Sequence, residues 1–380
     1  MACWQPRICP QTIGKAKAMK IASVTVDILE VPVEDAYIAA GRTVDANWHV
    51  LARIQTVDGT EGFGYVVKLG AQLVQPIAKA AQELAESLVG MDVLDTEAAW
   101  QQMSRAGKWV GPGGLLHWAI APLDIAMWDA AGKTQGQPIW RLLGGFRDHI
   151  PAYASDRLWY SLSYDELAES ARNHAENGYS GIKLRLGKEI SPLAQAERAK
   201  VAIDAAGPNI AVMVDGTESW DLTYARVAGR SLQDVGVTWL EDPLHHENLE
   251  GLAQLANALD LAGTGGENLY TLHQFRHTLE ARAVDVLILD LFRVGGITPW
   301  RKAAALAEAH RVPLSGHVAP EFHLHLLAAA PHGEILEYMP RSGAILQEMP
   351  IPVEGVLTAP NGPGHGLVLD EAAVERYRVG

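Results

Sequence analysis

Cysteine is nearly absent from this chain. Its two cysteines, Cys3 and Cys9, both fall within the first ten of 380 residues, so no disulfide framework braces the body of the fold. That usage fits a reducing compartment, and a cytoplasmic protein is expected. Long apolar runs are also missing: none reaches the roughly 18–20 residues that span a bilayer. The opening stretch MACWQPRICPQTIGKAKAMK lacks the apolar centre of a signal peptide, and residues 1–18 are expected to form a disordered tail. Basic residues are outnumbered, with 31 Lys and Arg against 45 Asp and Glu, a formal net charge of −14. A balance that acidic argues against nucleic acid or a membrane as partner. It leaves room for a small anionic molecule, because a bound metal ion reverses the local field.

What is present is an ordinary globular composition, 48% hydrophobic and 20% charged, over a length that suits a large barrel plus a smaller domain. The expected division is an α+β unit over residues 19–145, a barrel over 146–345, and a segment over 346–380 that returns to the first unit. In the first unit, the strand-like runs WHVLARIQTVDG and EGFGYVV are joined by Asp58-Gly59, a favoured hairpin turn pair. Three helical stretches follow, and Pro122 within the third predicts a break or kink.

From about residue 150, short apolar runs alternate with amphipathic stretches. HIPAYAS, GIKLRL, IAVMVD, VTWLED, LAGTGGE, VDVLILD, VPLSGH and EILEY are eight such runs, the count for a closed parallel barrel. Most end in an ionisable residue: Lys183 and Arg185, then Asp215, Glu241, Glu267, Asp290, His317 and Glu337. Parallel strands bring all these ends to one face, where active sites of such barrels lie. Asp215, Glu241 and Glu267 recur at an interval of 26 residues, which places one carboxylate on each of three neighbouring strands. Three such charges repel unless a cation lies between them, and an all-oxygen set favours one Mg²⁺ over Zn²⁺.

The segments VMVDGTESWD, WLEDPL, FRVGGITPWRKAAALAEAH and LSGHVAPEFHLHLLAAA, with the weaker SPLAQAERAK, carry a resemblance. In order and spacing, Arg293, Gly295, Gly296, His317 and His323 resemble the mandelate racemase group of the enolase superfamily, nearest to acid-sugar dehydratases of the galactarate and L-talarate type. The resemblance implies an α/β fold: a (β/α)7β barrel capped by an α+β domain. It implies that Asp215, Glu241 and Glu267 hold magnesium, and that Asp290 orients His317 as a base. Glu337, expected to be protonated, and Lys183 would bind the substrate carboxylate. The cap loops near Tyr37–Val44 and Lys68 would help select substrate.

The family chemistry is removal of the proton next to a carboxylate. The enediolate then collapses by reprotonation or by loss of a β-hydroxyl to give a 2-keto-3-deoxy acid. Arg185 departs from the pattern, standing where the family usually has a second lysine that acts as a base. A guanidinium is a poor base near neutrality, so a one-base dehydratase is expected ahead of a racemase, epimerase or cycloisomerase. A non-catalytic ligand-binding barrel is the remaining alternative. Arg185 is then expected to contact substrate or to form an ion pair. Thr217 is a second departure, at a position that is often Asn. Trp159, with Tyr160, is expected to wall the pocket, whereas His323 and His325 read as packing groups. His245 and His246 fall in a loop after the fourth barrel strand. The expected partner is a small carboxylate, and a homo-oligomer is expected.

Overall fold

The computed structural model describes residues 19–39, 42–187 and 191–379; the proposed tail at 1–18 lies outside them. Three antiparallel strands open the fold: β1 (Ile21–Ala39), β2 (Arg42–Thr56) and β3 (Glu61–Leu69). Gly59, at φ 89°, supplies the left-handed turn residue between β2 and β3. Of the segment expected as a loop around Tyr37–Val44, the described residues belong to β1 and β2, with Tyr37 paired to Val44 and Ile38 to Thr43. Its β-branched and aromatic residues suit an extended ladder better than a loop.

Helices Val74–Glu86, Thr96–Ala106 and Gly114–Gln135 cover this sheet. The third runs through Pro122 without interruption, contrary to the expected break. It is buried on almost every side, and sheet and helix lie unusually close. A Cβ at Gly64 would stand 2.5 Å from the Pro122 carbonyl oxygen, and one at Gly62 2.4 Å from that of Ala126. Tertiary packing therefore overrides the local breaker.

Eight parallel strands then close a barrel: β4 (His149–Ala154), β5 (Gly181–Arg185), β6 (Ala211–Asp215), β7 (Trp239–Glu241), β8 (Ala262–Gly265), β9 (Val286–Asp290), β10 (Leu314–His317) and β11 (Gly333–Tyr338). Pairing of β11 with β4 completes the ring. Each of the eight runs read from the sequence supplies one strand. The C-terminal segment adds β12 (Val356–Thr358) antiparallel to β4 and β13 (Arg378–Val379) antiparallel to β1, so it joins both units. Among the described residues, no helix is long and apolar enough to cross a membrane.

The barrel interior explains why polar residues gather at one end. Tyr153, Met213, Trp239 and Ile288, from β4, β6, β7 and β9, form a buried apolar plug. Side chains alternate along a strand, so the residue two positions further on points the same way. Those residues are Ser155, Asp215, Glu241 and Asp290. The sequence thus stacks a polar layer directly above an apolar one.

Candidate active site

Strand register sets the first contacts. Arg185 pairs with Asp215, Asp215 with Glu241, and Asp290 with His317. On the Asp290 side, Oδ1 accepts from the backbone N–H of Phe292 and of Arg293, both at 2.8 Å, which leaves Oδ2 for His317 Nδ1 at 2.7 Å. His317 Nε2 faces the other way and lies 3.0 Å from Glu267 Oε2. Burial lowers the His317 pKa, but Glu267, Asp290 and Glu337 raise it more, to about 10. Asp290 is held below its usual value despite burial, by its bond from His317 and the Arg293 charge.

Lys183 lies fully buried, 2.6 Å from Glu241 and 3.0 Å from Glu337. Glu337 also accepts from the Val318 N–H at 2.9 Å and from Arg185 at 3.2 Å. Burial works to raise the Glu337 pKa, yet Lys183, His317 and Arg185 hold it well below the carboxylate range. These three cations work against the protonated Glu337 expected from the resemblance. Arg185 is wholly engaged within the protein. Its Nη1 donates to the carbonyl and hydroxyl of Ser155 at 2.7 and 2.9 Å, and its Nε lies 3.9 Å from Asp215. Its guanidinium covers the ring of Trp159 at 4.4 Å, and Trp159 stacks on Tyr37 at 4.7 Å.

Asp215, Glu241 and Glu267 gather at the mouth as expected. Burial pushes Glu241 up to about 8, with Asp215 and Glu267 adding to the effect against Lys183. Asp215 is raised too, by burial first and then by Glu267 among the acids. Glu267 is held low, against burial, by His317 and Arg293. Each acid is drawn toward its own cation: Arg185, Lys183, or Arg293 at 3.1 Å. The buried Oε2 of Glu241 has no hydrogen-bond partner among the described residues. An orphaned acceptor among mutually repelling carboxylates, with no sulfur beside it, fits a hard divalent cation. One trio of described residues brings its ligand atoms within 4.8 Å of one another, Glu218, His245 and His246, and it lies at the rim. The three acids at 215, 241 and 267 are spaced more widely than that.

The mouth opens into a cavity of about 900 Å³ lined by Arg185, Asp215, Glu267, Asp290, His317 and Trp159, with Lys68 and Tyr160 among the others. Tyr37 does not line it; Tyr37 lines an adjoining cavity of about 1070 Å³ and reaches the first through Trp159. Thr217 holds a left-handed conformation at φ 49°, and its N–H donates to Asp215 at 2.7 Å. Asn tolerates that conformation better than a β-branched residue does, which accounts for the departure being notable. His323 and His325 are buried and bonded to backbone, to Val318 and to His365 and Trp140, as packing groups. Ser155 and Arg341 were not read from the sequence. The period of two on β4 could have signalled Ser155, whereas Arg341 sits in a loop with no periodic cue.

Fold and mouth together define a (β/α)-barrel whose mouth carries carboxylates suited to a hard divalent cation. Residues 23–144 match the mandelate racemase/muconate lactonizing enzyme N-terminal domain, and residues 166–373 match the enolase C-terminal domain-like family. The chain is 33% identical to the L-talarate/galactarate dehydratase of Salmonella typhimurium, covering 91% of this chain and 87% of that one. It is 31% identical to a 3,6-anhydro-alpha-L-galactonate cycloisomerase of Streptomyces coelicolor, over 87% and 91% of the two chains. Among solved structures, an L-talarate/galactarate dehydratase variant with Mg and L-glucarate superposes with a TM-score of 0.93 at 30% identity, over 100% and 97% of the chains. This chain belongs to the enolase superfamily, in the mandelate racemase/muconate lactonizing enzyme group.

Proposed function

We propose that this enzyme dehydrates an acid sugar, removing the α-proton and then the β-hydroxyl to give a 2-keto-3-deoxy acid. The observation that carries the reading is one-sidedness. Among the described residues that line the cavity, His317 is the histidine, oriented by Asp290, and β5 brings Arg185 rather than a second lysine to the same mouth. Carboxylates raise the Arg185 pKa further, against burial, so it takes no proton near neutrality. Two-base racemisation needs a second base, which Arg185 does not supply.

Asp215, Glu241 and Glu267 would hold magnesium. The bound ion supplies positive charge for the carboxylate oxygens of the substrate and offsets the acids that raise His317. His317 Nε2 takes the α-proton, and the electron pair of the broken C–H bond becomes the enediolate double bond. Lys183 supports the charge that builds on the carboxylate oxygens. Arrival of an anionic substrate beside Glu337 raises its pKa, which favours the protonated form that donates a hydrogen bond. The C–O bond to the β-hydroxyl then breaks, and the His317 imidazolium returns its proton to the leaving oxygen, releasing water. The enol tautomerises to the 2-keto acid.

The test is an acid-sugar library incubated with Mg²⁺ and assayed for 2-keto acids. Product that disappears on chelation is expected. Exchange of the α-proton for deuterium without net product would replace this reading by the racemase one. The cycloisomerase relative supports a second reading, in which the same proton loss opens or closes a ring; turnover of anhydro or lactone substrates alone would favour it. Absence of both turnover and exchange would favour a ligand-binding barrel.

A further inference from the structure

Lys183, Arg185, Arg293 and Arg341 are among the cations that stand near the junction of cap and barrel. The first three are paired with carboxylates within ion-pair distance. Arg341 is the exception. Among the described residues, no carboxylate lies within 4.0 Å of its guanidinium. Its Nε is buried without a partner, and its Nη2 meets the sulfur of Met339 at 2.8 Å, a weak acceptor. Burial lowers its pKa and nearby Arg185 adds to that, against Tyr37, Glu337 and Asp156, whereas for Arg185 and Arg293 the balance is upward. A guanidinium left in this state is costly unless an anion completes it.

Its position points to which anion. Arg341 lies three residues beyond β11, and its carbonyl accepts from Asn47 Nδ2 of the cap at 3.4 Å, so the cap helps fix the loop. Arg341 and Trp159 are the two residues that line both the catalytic cavity and the adjoining one. A chain whose reacting carboxylate sits among Asp215, Glu241 and Glu267 shares its cavity with Arg341, which lies where that cavity meets the adjoining one. Arg185 is nearer the acids but already engaged by Ser155, Glu337 and Trp159. A guanidinium without a carboxylate partner is a group that takes a carboxylate through charge-assisted hydrogen bonds.

We propose that Arg341 binds the far carboxylate of a diacid substrate, making the enzyme selective for aldarates over the matching aldonates. This rests on the acid-sugar reading above. The experiment compares kcat and KM for an aldarate and the aldonate of the same configuration, in the wild type, Arg341→Gln and Arg341→Lys. Wild type is expected to prefer the diacid. Arg341→Gln should lower kcat/KM for the diacid by about a hundredfold, mostly through KM, and narrow the diacid-to-monoacid ratio at least about tenfold. Arg341→Lys should restore part of that ratio.

Equal losses on both substrates, or a wild type that prefers the monoacid, would overturn the proposal and leave dehydration standing. If no acid sugar is turned over, thermal unfolding with Mg²⁺ and a nonreacting diacid or monoacid decides the point without turnover. Greater stabilisation by the diacid, lost in Arg341→Gln, supports the proposal; equal stabilisation by both acids overturns it.

Discussion

At the barrel mouth, polar groups are buried as charges, while along the seam between cap and barrel several are buried neutral. Lys183, Arg185, Arg293 and His317 each meet at least one carboxylate at the mouth, and the pairs share partners. In the seam, Tyr65 donates to Glu321 at 2.6 Å, His49 meets Ser342 at 3.3 Å, and His365 meets the Phe63 carbonyl at 2.9 Å. Burial pushes Glu321 up and His49 down to about 4, each toward its uncharged form. Charges that compensate one another can be redistributed when a cation and an anionic substrate arrive. Neutral bonds in a buried seam have no such freedom, and they fix the cap over the mouth.

The contrast can be broken from either side. The largest effect is expected from Asp290→Asn, which leaves the fold but misdirects the His317 tautomer; kcat should fall about 10³- to 10⁴-fold in a steady-state assay. Lys183→Met strands Glu241 and Glu337, and chemical denaturation should report a loss of about 3–5 kcal/mol. Tyr65→Phe takes from Glu321 its phenolic donor and should cost about 1–3 kcal/mol with kcat changed little, since the seam does not touch the reaction.

A pH titration of stability gives the most specific effect. His49, His323 and His325 have folded pKa values lowered by burial to about 4, 4 and 3, below the unfolded 6.5. Between those values the unfolded chain binds protons that the folded chain does not. Their contribution is complete above pH 6.5 and declines as pH falls toward 4. Each histidine adds a slope of about 1.4 kcal/mol per pH unit in that window. His325→Gln should remove one such slope; an unchanged profile would mean that its ring is already charged or exposed.

Much of the mouth was legible because a parallel barrel turns sequence position into spatial position. Asp215, Glu241, Asp290 and His317 end their runs, and strand direction alone sends them to one face. Partners across the cap were not legible. Tyr65 and Glu321 are 256 residues apart, and no local pattern couples them. Charge states were hidden for a similar reason: the Glu337 pKa is held low because Lys183 and Arg185 from β5 and His317 from β10 converge on it. Pro122 misled because a local rule ignores the sheet packed against that helix. Arg341 escaped notice because loops carry no periodicity.

The most direct test of the account is turnover of a reactive acid sugar in D₂O with Mg²⁺, followed by NMR for wild type and His317→Asn. The account predicts 2-keto-3-deoxy product with deuterium at C3 from the wild type. It predicts neither product nor α-proton loss from a folded His317→Asn protein. Turnover by that variant within about tenfold of wild type would remove His317 as the base and with it the proposed mechanism.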